Sequence, residues 1–187
     1  MSSPRWQRAL VTGASSGIGE AIARRLAAEG SELVLVARRQ ERLERLGFEL
    51  RRFRSIPVEI VPADLTAAVD LERVEARLAS AGRPVDLLVN NAGGGRLSVF
   101  PEGTPEDEEC WARLNAISVL RLTAAALPGM RERARGTILN ISSGAAFQPS
   151  PYAAVYGASK AFVNSFSQAI REESRRHGIV VTAVCPG

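Results

Sequence analysis

The chain has 187 residues, 45% of them hydrophobic and 24% charged, enough for one α/β domain with a substantial core and too few for two ordinary domains. A chain of this length buries roughly 70% of its extended surface, so it needs neither disulfides nor a structural metal, and 16 glycines with 10 prolines exclude a fibrous or disordered polymer. The net charge of +4 arises from basic residues interleaved with Glu41, Glu44 and Glu49, the pattern of a solvated helix face rather than a nucleic-acid-binding stripe, so no nucleic acid partner is expected.

No apolar run approaches the ~18 residues of a membrane span, and the opening MSSPRWQRAL lacks the apolar core of a secretory signal. The sequence therefore reads as cytoplasmic, with no membrane partner. Cys110, Cys185 and the single His177 have no metal-ligand spacing, so no metal is expected. His177 falls at an expected helix end, where a cation near the last carbonyls is an ordinary structural feature. All but one of the 24 basic residues are arginine, and the exception is Lys160, which suggests that a compact ammonium is required there.

In chain order, short apolar runs predict strands over 9–12, 32–37, 58–62, 85–90, 137–142 and 179–185. Most are continuous rather than alternating, as strands buried on both faces are. Between them, Ile18, Ile22 and Leu26, then Leu43, Leu46, Leu50 and Phe53, then Leu71, Val74 and Leu78 recur at helical spacing. Two longer helices are predicted over about 105–133 and 151–177. Gly30, Gly82 and Gly178 fall where preceding helices should end in the left-handed conformation. Strands alternating with helices predict an α/β fold, a doubly wound parallel sheet of Rossmann-like order 3-2-1-4-5-6 with helices on both faces, as a single domain over 1–187. Its ligand crevice lies at the carboxyl ends of the strands.

The first strand ends in Thr12-Gly13-Ala14-Ser15-Ser16-Gly17-Ile18-Gly19 and runs directly into a helix. Gly13, Gly17 and Gly19 let backbone approach a pyrophosphate, and the helix amino end, with Ser15, Ser16 and Ile18, offers N–H groups to hold it. The spacing is GxxxGxG rather than the more general GxGxxG. After the second strand come Arg38 and Arg39, where an NAD-binding chain usually places an acid for the adenosine ribose. This favours NADP over NAD, unless the two arginines simply begin an exposed helix. Asp64, followed by Leu65 after the third strand, is placed either to accept from an adenine amino group or to cap the next helix. Asn91, Ala92 and Gly93 follow the fourth strand and are small enough for a cofactor to lie against backbone.

Tyr156 and Lys160 stand four residues apart on the last helix and share one face. A free phenol has a pKa of ~10, and a fixed cation beside it favours the phenolate, making the phenol a usable acid or base near neutrality. Ser143, at the end of the fifth strand, can share a substrate oxygen with that phenol; its neighbour Ser142 points to the opposite side of a continuing strand. Trp111 and Leu114 share the inner stripe of the 105–133 helix as packing residues, and the stretch Ala145 to Tyr152 is expected to line the pocket.

TGASSGIG, NNAG at Asn90 to Gly93, Asn115, Ser143, YGASK from Tyr156 to Lys160 and the final Cys185-Pro186-Gly187 together resemble the short-chain dehydrogenases/reductases, in order and over essentially the whole chain. The resemblance implies hydride transfer between a nicotinamide and a carbonyl or secondary alcohol. It assigns Tyr156 as proton donor or acceptor and Lys160 as its partner and a contact of the nicotinamide ribose. It selects Ser143 over Ser142 to position the substrate carbonyl, gives Asn115 a water linking Lys160 to solvent, and places Pro186 and Gly187 at the cofactor. It further implies a homo-oligomer through the Asn115 and Tyr156 helices. Relatives carry a further strand and a substrate-covering segment, so the chain is expected to be truncated after Gly187. The alternative is a cofactor-binding module without turnover.

Overall fold

In the computed structural model, which describes residues 4–100, 102 and 104–187, the six apolar runs form one parallel sheet in the order β3-β2-β1-β4-β5-β6. These strands are β1 Arg8–Thr12, β2 Glu32–Ala37, β3 Val58–Pro62, β4 Leu87–Asn90, β5 Gly136–Ile141 and β6 Ile179–Val184. The order is the expected one. β1 is central: Val11 registers with Leu35 of β2 on one side and with Val89 of β4 on the other. The chain reverses its direction of winding between β1 and β4, so a crevice opens beyond their carboxyl ends.

Alternate residues of each strand feed two separate cores. On one face Leu10, Val34, Leu88 and Ile138 meet α3 (Ala68–Ala79) through Leu71 and Val74, and α5 (Ser118–Glu132) through Leu122 and Met130. On the other, Val11, Leu33, Leu35 and Val89 meet α1 (Gly17–Ala28) through Ala23 and Leu26, and α2 (Gln40–Arg54) through Leu43, Leu46 and Leu50. α6 (Ala154–Arg175) covers the first face over β5 and β6, with Val163 fully buried. Gly30 (φ 92°) and Gly178 (φ 70°) take up the left-handed conformation after α1 and α6. Gly82 does not, because α3 ends at Ser80 in extended backbone.

The expected 105–133 helix is three pieces. Thr104 caps α4 (Pro105–Ala112) by accepting from the Asp107 amide at 3.2 Å, a π-helical turn spans Arg113–Ile117, and α5 follows. The wider turn carries Asn115 into the interior, where it is 0% exposed. The second long helix starts at Ala154 rather than 151, because Tyr152 has φ 64° and breaks the helical path. Among the described residues no helix is long and apolar enough to cross a membrane.

Candidate active site

The strand ends that flank the crevice are joined by one hydroxyl. Thr12 Oγ1 donates to the Val89 carbonyl at 3.2 Å and accepts from the amides of Asn91 (2.9 Å) and Ala92 (3.0 Å), while Asn91 Nδ2 donates to the Thr12 carbonyl at 3.0 Å. Gly13 lies against this joint at φ 65°, and a Cβ there would stand 2.6 Å from Asn91 Nδ2 and 2.9 Å from the Ala92 backbone. The loop can pass over the end of β4 only without a side chain. No side chain caps α1 at Ser16, so its first-turn N–H groups keep the partial positive charge that binds anions.

From this loop a cleft of about 470 Å³ runs outward to Arg38, Arg39, Asp64 and Leu65 and inward past Asn91, Ala92 and Gly93 to Ser143, Tyr156, Lys160, Pro186 and Gly187. At the outer end Arg39 Nη2 donates to the hydroxyls of Ser15 (2.9 Å) and Ser16 (2.7 Å), which holds a guanidinium over the glycine loop. Arg38 projects into solvent, 4.0 Å from the Asp64 carboxylate. Partial burial alone would raise the Asp64 pKa, but two hydrogen bonds from Thr66, assisted by Arg38, hold it below the usual carboxylate range. Asp64 therefore turns one oxygen into its own Asx turn and leaves the other toward Arg38; it does not cap α3, whose N-cap is Ala67.

At the inner end α6 presents Tyr156 and Lys160 to the cleft, with Lys160 Nζ 5.7 Å from the centre of the tyrosine ring. Lys160 is only 5% exposed and donates to the Ile141 carbonyl at the end of β5, 2.8 Å away. Burial pushes its ammonium down to about 8, with the Cys185 sulfur acting weakly in the opposite direction. The two adjacent serines are separated by their partners. Ser142 is buried and donates to the Lys160 carbonyl at 2.9 Å, tying β5 to the α6 backbone. Ser143 is half-buried; its Oγ accepts from the Ala145 amide at 3.2 Å, which leaves the hydroxyl proton available to the cleft.

Three consecutive glycines close this end from above. A Cβ on Gly93 would lie 2.9 Å from Asn115 Oδ1 and 3.3 Å from Lys160 Nζ, one on Gly94 2.9 Å from the Trp111 ring, and one on Gly95 2.9 Å from the Tyr156 ring. Asn115 fixes the segment by accepting from the Gly94 amide (3.0 Å) and donating to the Gly94 carbonyl (2.7 Å). The side chain thus positions the glycine segment and does not itself line the cleft. Gly17 and Gly19 also lie off the cleft wall: Gly17 adopts φ 58° beside open space, and Gly19 packs beneath the loop against Gly13 and Asn91.

The cleft also takes in residues that the sequence did not assign to it: Leu114, read as packing, Ser142, set aside in favour of Ser143, and Ile141, which was not singled out. Leu114 packs against the core and still reaches the wall, so its apolar stripe position gave no separate signal. The 145–152 stretch divides: residues from Ala146 to Pro151 line a separate depression beside α6, and Tyr152 borders a crevice shared with Trp111 and Tyr156.

A family model described as short chain dehydrogenase matches residues 7–187. The chain is 36% identical over 184 residues to very-long-chain 3-oxoacyl-CoA reductase of Bos taurus, a match covering 95% of this chain and 58% of that protein. It is similar to the solved short-chain dehydrogenase from Sphingobium yanoikuyae in complex with NADPH, at 42% identity and TM-score 0.93 over 96% of this chain and 70% of the other. It also resembles the bulky-bulky ketone specific alcohol dehydrogenase from Comamonas testosteroni, at 38% identity and TM-score 0.93 over 96% of this chain and 72% of that one. The chain thus spans under two thirds of the length of the bovine protein.

Proposed function

The chain belongs to the short-chain dehydrogenase/reductase family, and on that premise we propose that it is an oxidoreductase moving a hydride between NADP(H) and a carbonyl or secondary alcohol, with Tyr156 as the acid/base. The observation that carries this reading is the buried Lys160 ammonium, 5.7 Å from the Tyr156 ring and in the same cleft as the glycine loop.

The residues present suit a phosphorylated dinucleotide. The Gly13 cradle would be filled by a Cβ, the α1 amino end carries no side-chain cap, and two guanidiniums stand at the far end of the same cleft. The loop over Gly13 to Ile18 holds the pyrophosphate, Arg38 and Arg39 select the 2′-phosphate and so NADP over NAD, and Asp64 and Leu65 border the adenine. Lys160, Pro186 and Gly187 meet the nicotinamide half. When bound, the reduced cofactor supplies the hydride. The Tyr156 hydroxyl gives its proton to the substrate oxygen in reduction and takes it back in oxidation, Ser143 donates to the same oxygen, and the Lys160 cation stabilises the phenolate that remains. Asn115 acts through Gly94 as a positioning residue. A second copy of the chain is the proposed partner of the exposed Ile117, Leu120 and Phe162 on the outer surfaces of the Asn115 turn, α5 and α6.

The deciding experiment replaces Tyr156 by Phe. NADPH-driven reduction over a broad carbonyl panel falls by about a thousandfold, while NADPH affinity, followed by tryptophan fluorescence quenching, changes by less than about threefold. Undiminished turnover removes Tyr156 from the reaction. Wild-type binding of NADPH with no oxidation over the same panel favours the cofactor-binding module instead.

A further inference from the structure

The inner face of α6 is polar for a surface that lies in the core. It buries Ser159, Lys160, Ser167 and Ser174 beside a single buried apolar side chain larger than glycine, Val163. The strands opposite carry matching groups. Asn90 of β4 and Asn140 of β5 are register partners, 2% and 0% exposed, at positions where strands covered on both faces ordinarily carry apolar residues. Asn90 Nδ2 donates to Thr123 Oγ1 of α5 at 3.2 Å and to Asn140 Oδ1 at 2.9 Å, and Asn140 Nδ2 donates to Ser167 Oγ at 2.8 Å. The Ser167 hydroxyl donates in turn to the Val163 carbonyl at 2.6 Å. One hydrogen-bonded chain thus links α5, β4, β5 and α6 through the core.

This chain leaves Asn90 Oδ1 buried without a partner, a loss that apolar residues of similar volume would not incur. What the network supplies instead is direction, because hydrogen bonds hold one alignment where apolar contacts permit sliding. The element it aligns is the helix that carries Tyr156 and Lys160. Three consecutive residues of β5 hold α6: Asn140 through Ser167, Ile141 through its carbonyl on Lys160 Nζ at 2.8 Å, and Ser142 through the Lys160 carbonyl at 2.9 Å. Ser167 stands seven residues from Lys160, two turns along the same face. The bonds at Lys160 fix a point on β5; the bond at Ser167 fixes the direction of α6 through that point.

Resting on the reading of Tyr156 and Lys160 as the reacting pair, we propose that Asn140 is a positioning residue for the reaction, acting through Ser167 to set α6 against β5 and so to hold the Lys160 ammonium at its depth beside Tyr156. Neither Asn140 nor Ser167 borders the cleft, so both act through the helix. A displacement of about 1 Å at a reacting group is enough to remove much of the rate.

Lys160 is the only lysine of the chain, so protein made with lysine carrying 13C at Cε gives one lysine resonance, whose titration reports the surroundings of that ammonium directly. The titratable groups that face it are Tyr156 on its own helix and Cys185 after β6. In the wild type the midpoint lies at about 8, held down by burial. Asn140→Leu and Ser167→Ala let water reach the ammonium and raise the midpoint by at least about half a pH unit. Both lower kcat for NADPH-driven reduction over the carbonyl panel at least about tenfold and change NADPH affinity less than about threefold. Leu46→Ala, in the opposite core, lowers the Tm without moving the midpoint, and its kcat stays within about twofold of wild type. Ser167→Ala favours the helix and decides the matter by itself if Asn140→Leu does not fold. A midpoint unmoved in a folded variant, or a kcat no lower than in Leu46→Ala, overturns the proposal. If the wild type reduces no carbonyl compound, the turnover reading fails by itself and the resonance alone decides: a raised midpoint sustains the placement of Lys160 by Asn140, and an unmoved one refutes it.

Discussion

At the outer end of the cleft Arg38 is 70% exposed at its side chain and Arg39 donates to the two loop hydroxyls, whereas at the inner end Lys160 is 5% exposed and fixed on a backbone carbonyl. The outer cations are solvated and screened by salt, so each is worth a modest amount of affinity. The inner cation is desolvated and held in one place, and its neighbours are buried polar groups with assigned partners: Asn115 on Gly94, Ser142 on the Lys160 carbonyl. One end recognises charge and tolerates variation; the other depends on position, and single changes there should reach the chemistry.

The contrast is broken most severely by Lys160→Met. Removing the buried ammonium lowers ketone reduction by about a thousandfold, while NADPH affinity falls less than about tenfold because the phosphate grip is elsewhere. Equal losses in both quantities would erase the distinction between the two ends. Next in size is Asn115→Ala, which leaves the Gly94 amide and carbonyl without their partner. It lowers stability by about 2 kcal/mol and the Tm by roughly 5 °C in calorimetry, with reduced kcat because the Gly95 contact on Tyr156 loosens.

At the outer end, Arg38→Ala and Arg39→Ala each weaken NADPH binding by about tenfold or less and leave NADH binding unchanged, with a gap that narrows as salt rises. A thousandfold loss from either arginine, or equal losses for NADH, would show that this end too is held by exact position. The smallest effect separates the two ends by pH. Unfolded lysine titrates near 10.5 and the folded Lys160 at about 8, so between those values the unfolded chain binds the extra proton and stability rises with pH. The penalty for burying the charge is complete below pH 8 and gone above 10.5. Thermal melts of cofactor-free wild type and Lys160→Met should show the wild type gaining on the variant across that window, and a constant difference would contradict the burial of the charge.

Periodicity located the sheet because strands such as Val34 to Ala37 are buried on both faces and admit no other reading, and their bounds shifted by a residue or two at most. The π turn at Arg113–Ile117 was not foreseen, because no residue type marks such a turn; the one signal was a polar Asn115 within the apolar stripe. At the site, the spacing of Tyr156 and Lys160 places them on one face because a helix permits nothing else at that separation. Alternation along a strand put Ser142 and Ser143 on opposite sides without saying which faces the cleft; the family resemblance chose Ser143, and the physical difference lies in partners eighteen and two residues away. Sequence alone gives the small residues after the fourth strand only as room for a cofactor, whereas the side chains of Asn115, Lys160, Trp111 and Tyr156 lying against Gly93, Gly94 and Gly95 show why each Cβ is missing. The left-handed Tyr152 carries no sequence signal at all, because neither its residue type nor its neighbours favour that conformation.

The pH dependence of kcat/KM for NADPH-driven ketone reduction tests most directly whether a buried ammonium beside Tyr156 powers the inner end. In the wild type the value falls as pH rises through about 8, where burial places the Lys160 titration. In Lys160→Arg, whose guanidinium stays charged but cannot fit the same point, most of the rate and the inflection both disappear. A wild-type profile level through pH 8, or an arginine variant as fast as wild type, would contradict the account.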